Sequence, residues 1–304
     1  MGADAFTVSR AGRGLRGTVR IPADKSISHR ALLLSALAQG STRIENFLWS
    51  TTTRATLDCL QSLGARIETT VPDALTVDGR GLRSLSRPAG DLFCQGSGTT
   101  MRLLAGLCAG QPFPSVLDGT PALRRRPMAR VAGPLRRMGA SVLALGQDER
   151  PPLQIQGASQ LKGMEHNLTV ASAQVKSAIL LAGLYADGPT TIREPSPCRD
   201  HTERMLGAFG VPVQALSDGA VLLEPAPLVA PASPLVLPND FSSAAFFIAA
   251  GLLVPGSGLC LPRVGLNPTR TGMLDVISEM GASVRIENEY EENGEPVADL
   301  VVRY

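Results

Sequence analysis

Apolar and polar positions along the chain follow one order of events, played four times. A short extended run leads to a small or hydroxyl residue, and an apolar helix follows. After a glycine-containing break come a strand, a second helix ending near a glycine, and two closing strands. The first helices read SHRALLLSALAQG from Ser28, SGTTMRLLAGLCAG from Ser97, SAQVKSAILLAGLYADG from Ser172 and SSAAFFIAAGLLVPG from Ser242. The second helices end at SLGARIE (Gly64), RMGASVL (Gly139), AFGVPVQ (Gly210) and EMGASVRIE (Gly281). Starts lie 69, 75 and 70 residues apart and ends 75, 71 and 71 apart, so two independent landmarks keep one period. The leading strands read LRGTVRIP, DLFCQG, HNLTVA and PLVLPN, and the closing strands include ALTVDG, PLQIQG, AVLLEP and ADLVVRY.

The predicted unit is therefore βαβαββ, and the fold class is α/β (α+β). Its first helices are apolar nearly all round, which places them inside a domain. A unit of this size cannot bury two helices alone, so neighbouring copies must pack about a shared axis. Prolines 225, 227, 231, 234 and 238 interrupt the boundary between the third and fourth units, in EPAPLVAPASPLVLP, and predict an interdomain hinge there. The expected organisation is a pseudo-threefold domain of three units at 14–232, with 233–304 beginning a second, similar domain that stops at a unit boundary.

Composition narrows the function classes. Net charge is +2, from 29 cations against 27 anions, with 4% aromatic residues, which leaves little for neutralising or stacking on nucleic acid. Five cysteines without a CxxC pair and three scattered histidines argue against a disulfide framework or a metal site, and for a reducing compartment. The longest apolar run, Ala244 to Val254, is too short to span a bilayer, and MGADAFTVSR has no apolar signal core. The expectation is a soluble, cytoplasmic protein.

Only three of the 29 cations are lysines, and one of them, Lys25, stands between a strand and a helix in IPADKSISHR. A lysine ammonium can exchange a proton where a guanidinium cannot. Ser26, Ser28 and Arg30 follow it at a helix start, where free N–H groups and the dipole attract anions. GSGTT (96–100) followed by Arg102, and ASAQVKS with Ser172, Gln174 and Lys176, repeat that arrangement. Simple capping would explain any one of these starts. Three in equivalent places point to a shared anionic pocket. In ALRRRPMAR, Arg124 and Arg125 read as solvated, while Arg126, before Pro127, is the candidate clamp for a carboxylate or phosphate. In PCRDHTERM, Asp200 and Thr202 read as helix caps and Arg199 faces the pocket; Cys198 has no adjacent base and no catalytic role.

DKSISHR, SGTTMR, RRPM, ASAQVKSA, RDHTER and GLNPTRTG, in this order and spacing, resemble the 5-enolpyruvylshikimate-3-phosphate synthase (3-phosphoshikimate 1-carboxyvinyltransferase) family, from about residue 8 to the end. The resemblance implies an enolpyruvyl transferase-like inside-out α/β barrel of six units in two domains, with residues 1–13 belonging to the second. It implies transfer of the enolpyruvyl group of phosphoenolpyruvate to the 5-hydroxyl of shikimate 3-phosphate, with release of phosphate, in aromatic amino-acid biosynthesis. No metal or organic cofactor, nucleic acid or membrane takes part, and the full-length protein is expected to be a monomer.

By the same resemblance Lys25 touches both substrates and is the catalytic residue, while Ser26 and Arg30 hold shikimate 3-phosphate. Ser172, Ala173 and Arg199 line that site, and Gln174 reaches both ligands. Gly98, Thr99 and Arg126 serve phosphoenolpyruvate. Two positions depart from the family pattern: Gly96 replaces the usual Asn, and Ala173 stands where many members have serine. The family's aspartate base and further cationic contacts fall beyond residue 304, so this chain alone is expected to be inactive. Competing readings are a UDP-N-acetylglucosamine 1-carboxyvinyltransferase-like enzyme, and a non-catalytic or RNA-binding repeat protein. Ser26 and Arg30 after Lys25 disfavour the first, and the charge and aromatic content disfavour the second.

Overall fold

A computed structural model describes residues 12–304. The first repeat comprises β1 (Arg16–Thr18), α1 (Lys25–Leu37), β2 (Gln39–Glu45), α2 (Thr51–Ser62), β3 (Arg66–Val71) and β4 (Ala74–Arg80). The second comprises β5 (Leu92–Phe93), α3 (Gly98–Ala109), β6 (Pro114–Asp118), a short α4 (Pro121–Arg124), α5 (Ala129–Arg137), β7 (Ser141–Gly146) and β8 (Arg150–Gln156). The third holds β9 (Glu165–Asn167), α6 (Ala173–Gly183), β10 (Thr190–Arg193), α7 (His201–Ala208), β11 (Val213–Ala215) and β12 (Val221–Leu223). The fourth holds β13 (Leu235–Val236), α8 (Phe241–Leu253), β14 (Gly258–Gly265), α9 (Gly272–Glu279), β15 (Val284–Glu292) and β16 (Glu295–Arg303). The βαβαββ order is the one expected, with α4 as an insertion. All four second helices end on a glycine in the left-handed region (Gly64, Gly139, Gly210 and Gly281), the C-terminal cap that only glycine adopts without strain.

Four sheets of one design follow: β13-β2-β4-β3, β5-β6-β8-β7, β9-β10-β12-β11 and β1-β14-β16-β15. In each, a leading strand runs parallel to the strand after the first helix, and the other two pairings are antiparallel. One assignment changes. The first and fourth repeats exchange leading strands: β1 pairs with β14, Arg16 opposite Gly258, and β13 pairs with β2, Leu235 opposite Ile44. A parallel strand of two or three residues specifies its partner through very few side chains. The apolar pattern identifies such a strand and its buried face but not which equivalent edge receives it.

The described chain divides into two compact units. One is Ala23–Leu237 with Glu292–Glu295; the other is the segment up to Pro22 with Pro238–Glu291 and Pro296–Tyr304. The division thus falls at 22/23 and 237/238 instead of at 14 and 232. Residues 1–11 of the expected strand at 1–13 lie outside the described residues. The Pro-rich segment meets the division only at its end, between Leu237 and Pro238. Gln39 N donates to Leu228 O (2.8 Å), Ala230 N donates to Gln39 O (2.9 Å) and Leu228 is buried, so the segment is laid along β2 within the larger unit.

In the larger unit one continuous core runs from Ala23 to Leu237, with α1, α3 and α6 inside it. These helices carry apolar residues on every side because each faces its own sheet and also its neighbours. Gly106 lets α3 and α6 touch backbone to backbone: a Cβ there would sit 2.1 Å from the Ala178 carbonyl oxygen. The smaller unit has its own core around Phe241, Ala244, Ile248, Leu261, Val264, Leu300 and Val302. No helix among the described residues is long and apolar enough to cross a membrane.

Candidate active site

α1 begins three residues before the expected start at Ser28, because the buried Asp24 side chain caps it, accepting from Ile27 N at 2.9 Å. Ser97 caps α3, accepting from Thr100 N at 3.1 Å, and Ser172 is the N-cap of α6 without a side-chain capping bond. Counted from these caps, the first two helical residues are Lys25 and Ser26, Gly98 and Thr99, and Ala173 and Gln174. All six are residues that the sequence marks out. The repeat therefore places one pair of them at the N-terminus of each first helix, where unsatisfied N–H groups and the helix dipole favour anions.

Hydrogen bonds join these three helix starts. Gln174 Nε2 donates to Thr99 Oγ1 (2.9 Å), and Arg102 Nη1 donates to Gln174 Oε1 (2.6 Å), tying α3 to α6. Arg30 ties α1 to α6. Its Nη1 donates to Ser26 O (2.9 Å), its Nη2 to Ser177 Oγ (2.6 Å) and its Nε to Thr202 Oγ1 (2.7 Å). Ser177 Oγ in turn lies 2.6 Å from Ala173 O. Arg30 is buried, and burial lowers its pKa, with Glu203 and Asp24 opposing; a guanidinium held this way remains a cation.

A second group of cations gathers at the start of α3. A Cβ on Gly98 would meet Arg102 Nη1 at 2.7 Å and Arg126 Nη1 at 3.2 Å, so both guanidinium groups stand against that glycine. Burial lowers the Arg102 pKa, and Arg126 and Arg130 lower it further, the signature of positive charges crowded together. Arg102 hydrogen bonds only to the Gln174 amide and the Pro127 carbonyl, and Lys25 and Arg126 make no side-chain hydrogen bond or ion pair among the described residues. This is charge left available for a ligand.

The remaining expected residues sort as follows. Arg199 is exposed on the loop before α7, close enough to Arg30 to depress its pKa. Arg124 is exposed, as expected, but it ends α4 and forms a bidentate pair with Asp118. Asp200 accepts from Arg204 Nε (2.9 Å) and makes no capping bond, while Thr202 belongs to the Arg30 network. Lys176 is enclosed with Glu194 (2.7 Å) and Glu203 (2.6 Å). Burial alone would lower its pKa, but the two carboxylates outweigh it and hold the pKa above its ordinary value. Burial and Glu194 push the Cys198 thiol up to about 12, which suits an inert residue. Position 96 has room for a side chain, since a Cβ would find its nearest neighbour, Thr120 Oγ1, at 3.7 Å.

Sequence reasoning missed Ser177 as a member of the site, and noted Arg102 after GSGTT without giving it a ligand. A signal was present: each stands five residues after its N-cap, and His29 occupies the same place on α1.

Comparison with known proteins agrees with this geometry. The profile of the EPSP synthase (3-phosphoshikimate 1-carboxyvinyltransferase) family matches residues 9–302. The chain is 49% identical over 299 residues to the 3-phosphoshikimate 1-carboxyvinyltransferase of Citrifermentans bemidjiense, covering 98% of this chain and 68% of that protein. It is 50% identical over 303 residues to the enzyme of that name from Carboxydothermus hydrogenoformans, again covering 98% and 68%. A solved EPSP synthase from Acinetobacter baumannii superposes with a TM-score of 0.91 at 42% identity, covering 96% of this chain and 65% of that one. The chain thus spans about two thirds of the length of the relatives it matches. With the motifs seated at three equivalent helix starts and the match running through all four repeats, the chain belongs to the EPSP synthase family.

Proposed function

We propose that this chain carries the helix-start substrate sites of a 3-phosphoshikimate 1-carboxyvinyltransferase. In that reaction the 5-hydroxyl of shikimate 3-phosphate gives up its proton as its oxygen bonds to C2 of phosphoenolpyruvate, whose methylene carbon takes up a proton. The tetrahedral adduct then loses that proton and inorganic phosphate, leaving the enolpyruvyl ether. Two polyanions must be held side by side, which calls for cations and oriented N–H donors and for no metal or organic cofactor.

The observation that carries this reading is the triple helix start. Lys25, Ser26 and Arg30, with Ser172, Ala173, Gln174 and Arg199, serve shikimate 3-phosphate. Gly98, Thr99 and Arg126, beside Arg102, serve phosphoenolpyruvate. Lys25 and Gln174 serve both ligands. Lys25 is the proposed catalytic residue, because an ammonium on a flexible stem can both neutralise phosphate and move a proton. The names of the relatives support this substrate pair over a UDP-sugar. We place residues 238–304 in a second domain of the same architecture, and the protein in the cytoplasm as a monomer.

Calorimetric titration tests the reading. Shikimate 3-phosphate should bind saturably at one site, and Arg30→Met should weaken it at least ~10-fold, as expected for loss of a charge-assisted contact. Binding of UDP-N-acetylglucosamine or RNA in place of shikimate 3-phosphate would overturn it.

A further inference from the structure

The residue five positions after the N-cap does the same thing in each repeat of the larger unit. On α3 it is Arg102, which reaches Gln174 on α6. On α6 it is Ser177, which meets Thr202 Oγ1 at 2.7 Å and Arg30 on α1. On α1 it is His29, whose Nδ1 lies 2.7 Å from Thr56 Oγ1, with Thr56 a further 2.7 Å from Thr100 Oγ1 on α3. The contacts run α1 to α3, α3 to α6 and α6 to α1, closing a ring around the three helix starts.

The His29 arc has a definite direction. Ser97 Oγ, the α3 cap, accepts from Thr100 N (3.1 Å) and from Thr100 Oγ1 (2.7 Å). Thr100 Oγ1 also faces Thr52 O (3.2 Å), which can only accept. Its single proton is spent on Ser97 or Thr52, so Thr100 accepts from Thr56, and Thr56 in turn accepts from His29 Nδ1. The proton therefore sits on Nδ1. His29 Nε2, which has no partner in its buried position, is a bare acceptor and not an orphaned N–H. All four side chains are buried, so water cannot substitute for a broken link.

We infer that His29 is a positioning residue: by donating at the head of this relay it sets the first turn of α3, with Gly98 and Thr99, against the first turn of α1, with Lys25 and Ser26. His29 touches neither ligand, and its role rests on the substrate assignment proposed above. Its effect belongs to the pairing of the two sites, since the shikimate 3-phosphate contacts are made chiefly by α1 and α6.

Three variants test this. His29→Leu removes the donor at similar volume, Thr56→Val cuts the relay without altering α1, and His29→Asn keeps a donor at the place of Nδ1. Phosphoenolpyruvate affinity, measured with shikimate 3-phosphate saturating, should fall at least ~10-fold in His29→Leu and Thr56→Val, and return to within about threefold of wild type in His29→Asn. Shikimate 3-phosphate affinity alone should change less than about threefold in all three. Equal losses for both ligands, or no advantage of Asn over Leu, would overturn the positioning role. Amide hydrogen exchange at residues 97–100 gives a reading without ligand. If wild type binds neither anion, the substrate assignment fails, and faster exchange in Leu and Val than in Asn still supports the positioning; identical exchange in all three refutes it.

Discussion

Replacing Gly106 by alanine tests whether the helix contact beneath the site governs the site. The added Cβ would lie 2.1 Å from the Ala178 carbonyl oxygen and 2.8 Å from the Ala178 C and Cα. These are backbone atoms of a neighbouring helix and cannot turn aside, so α3 and α6 must separate by about 1 Å to restore ordinary contact. Overpacking costs roughly 1–3 kcal/mol, and a backbone obstruction belongs at the upper end. Alanine regains about 1 kcal/mol of helix propensity over glycine, leaving a net loss of about 2 kcal/mol. The same movement would stretch Gln174 Nε2–Thr99 Oγ1 from 2.9 Å and Arg102 Nη1–Gln174 Oε1 from 2.6 Å beyond useful hydrogen-bonding distance. Misplacement of this size is worth as much as ~100-fold where two groups must act together. Urea denaturation measures the first effect and calorimetric titration with both substrates the second. Gly133→Ala in α5 is the control, because its Cβ would find nothing nearer than Arg137 Nη1 at 4.0 Å. It should stabilise by up to about 1 kcal/mol. An unchanged urea midpoint for Gly106→Ala would refute the packing argument. A destabilised variant that binds both ligands normally would refute the coupling of packing to the site.

Three further outcomes are expected. Burial, with Arg30 and Lys25, lowers the His29 pKa to about 3, and burial with Arg137 lowers that of His166 to about 4. Both are neutral in the folded state, so the unfolded chain takes up more protons below about pH 6.5; stability is intact above that value and lost as pH falls through the window, by about 3 kcal/mol at pH 4.5 for His29 alone, and His29→Asn should flatten a plot of urea midpoint against pH. Lys176→Met leaves Glu194 and Glu203 buried without their cation and should cost about 3–5 kcal/mol in urea unfolding, most of it recovered when both carboxylates are also changed to glutamine. Gly96→Asn should be neutral within about 0.5 kcal/mol, since the position is open to a side chain, and a larger loss would show that the turn requires glycine.

The repeat was legible because its two landmarks, an all-round apolar helix and a glycine-capped one, are local features that a residue pattern records directly. Five of the six helix-start residues were legible for the same reason, a cap followed by a cation or small residue and a hydroxyl or amide; Ala173 came only from the family resemblance. What stayed hidden was non-local. Nothing near Arg16 announces that its strand will lie beside Gly258, and nothing near Pro231 shows that a proline-rich stretch will be pinned along β2 by Gln39. Thr202 read as a cap because the threonine that caps a helix and the threonine that accepts from a guanidinium 172 residues away look alike in sequence. Arg124 is exposed as it read, but its pairing with Asp118 stayed hidden because Asp118 belongs to a different element, β6.

The exchange of leading strands also sets a timetable. During synthesis β1 emerges before any other described strand, yet Leu15 N, beside it, donates its hydrogen bond to Ser257 Oγ, 242 residues later. At about 5–20 residues per second the nascent strand waits on the order of ten to fifty seconds for its neighbour. By the end of that interval every strand of the three-repeat unit has left the ribosome, β13 last of all. β13, at 235–236, appears only shortly before β14, so the two late leading-strand pairings become available almost together. A nascent chain of this design exposes an unpaired parallel edge on β2 for most of its synthesis, and the strand that emerged first, β1, is the wrong one to fill it. Correct folding therefore depends on the early strand being kept from the early edge, a problem of timing that the finished structure conceals.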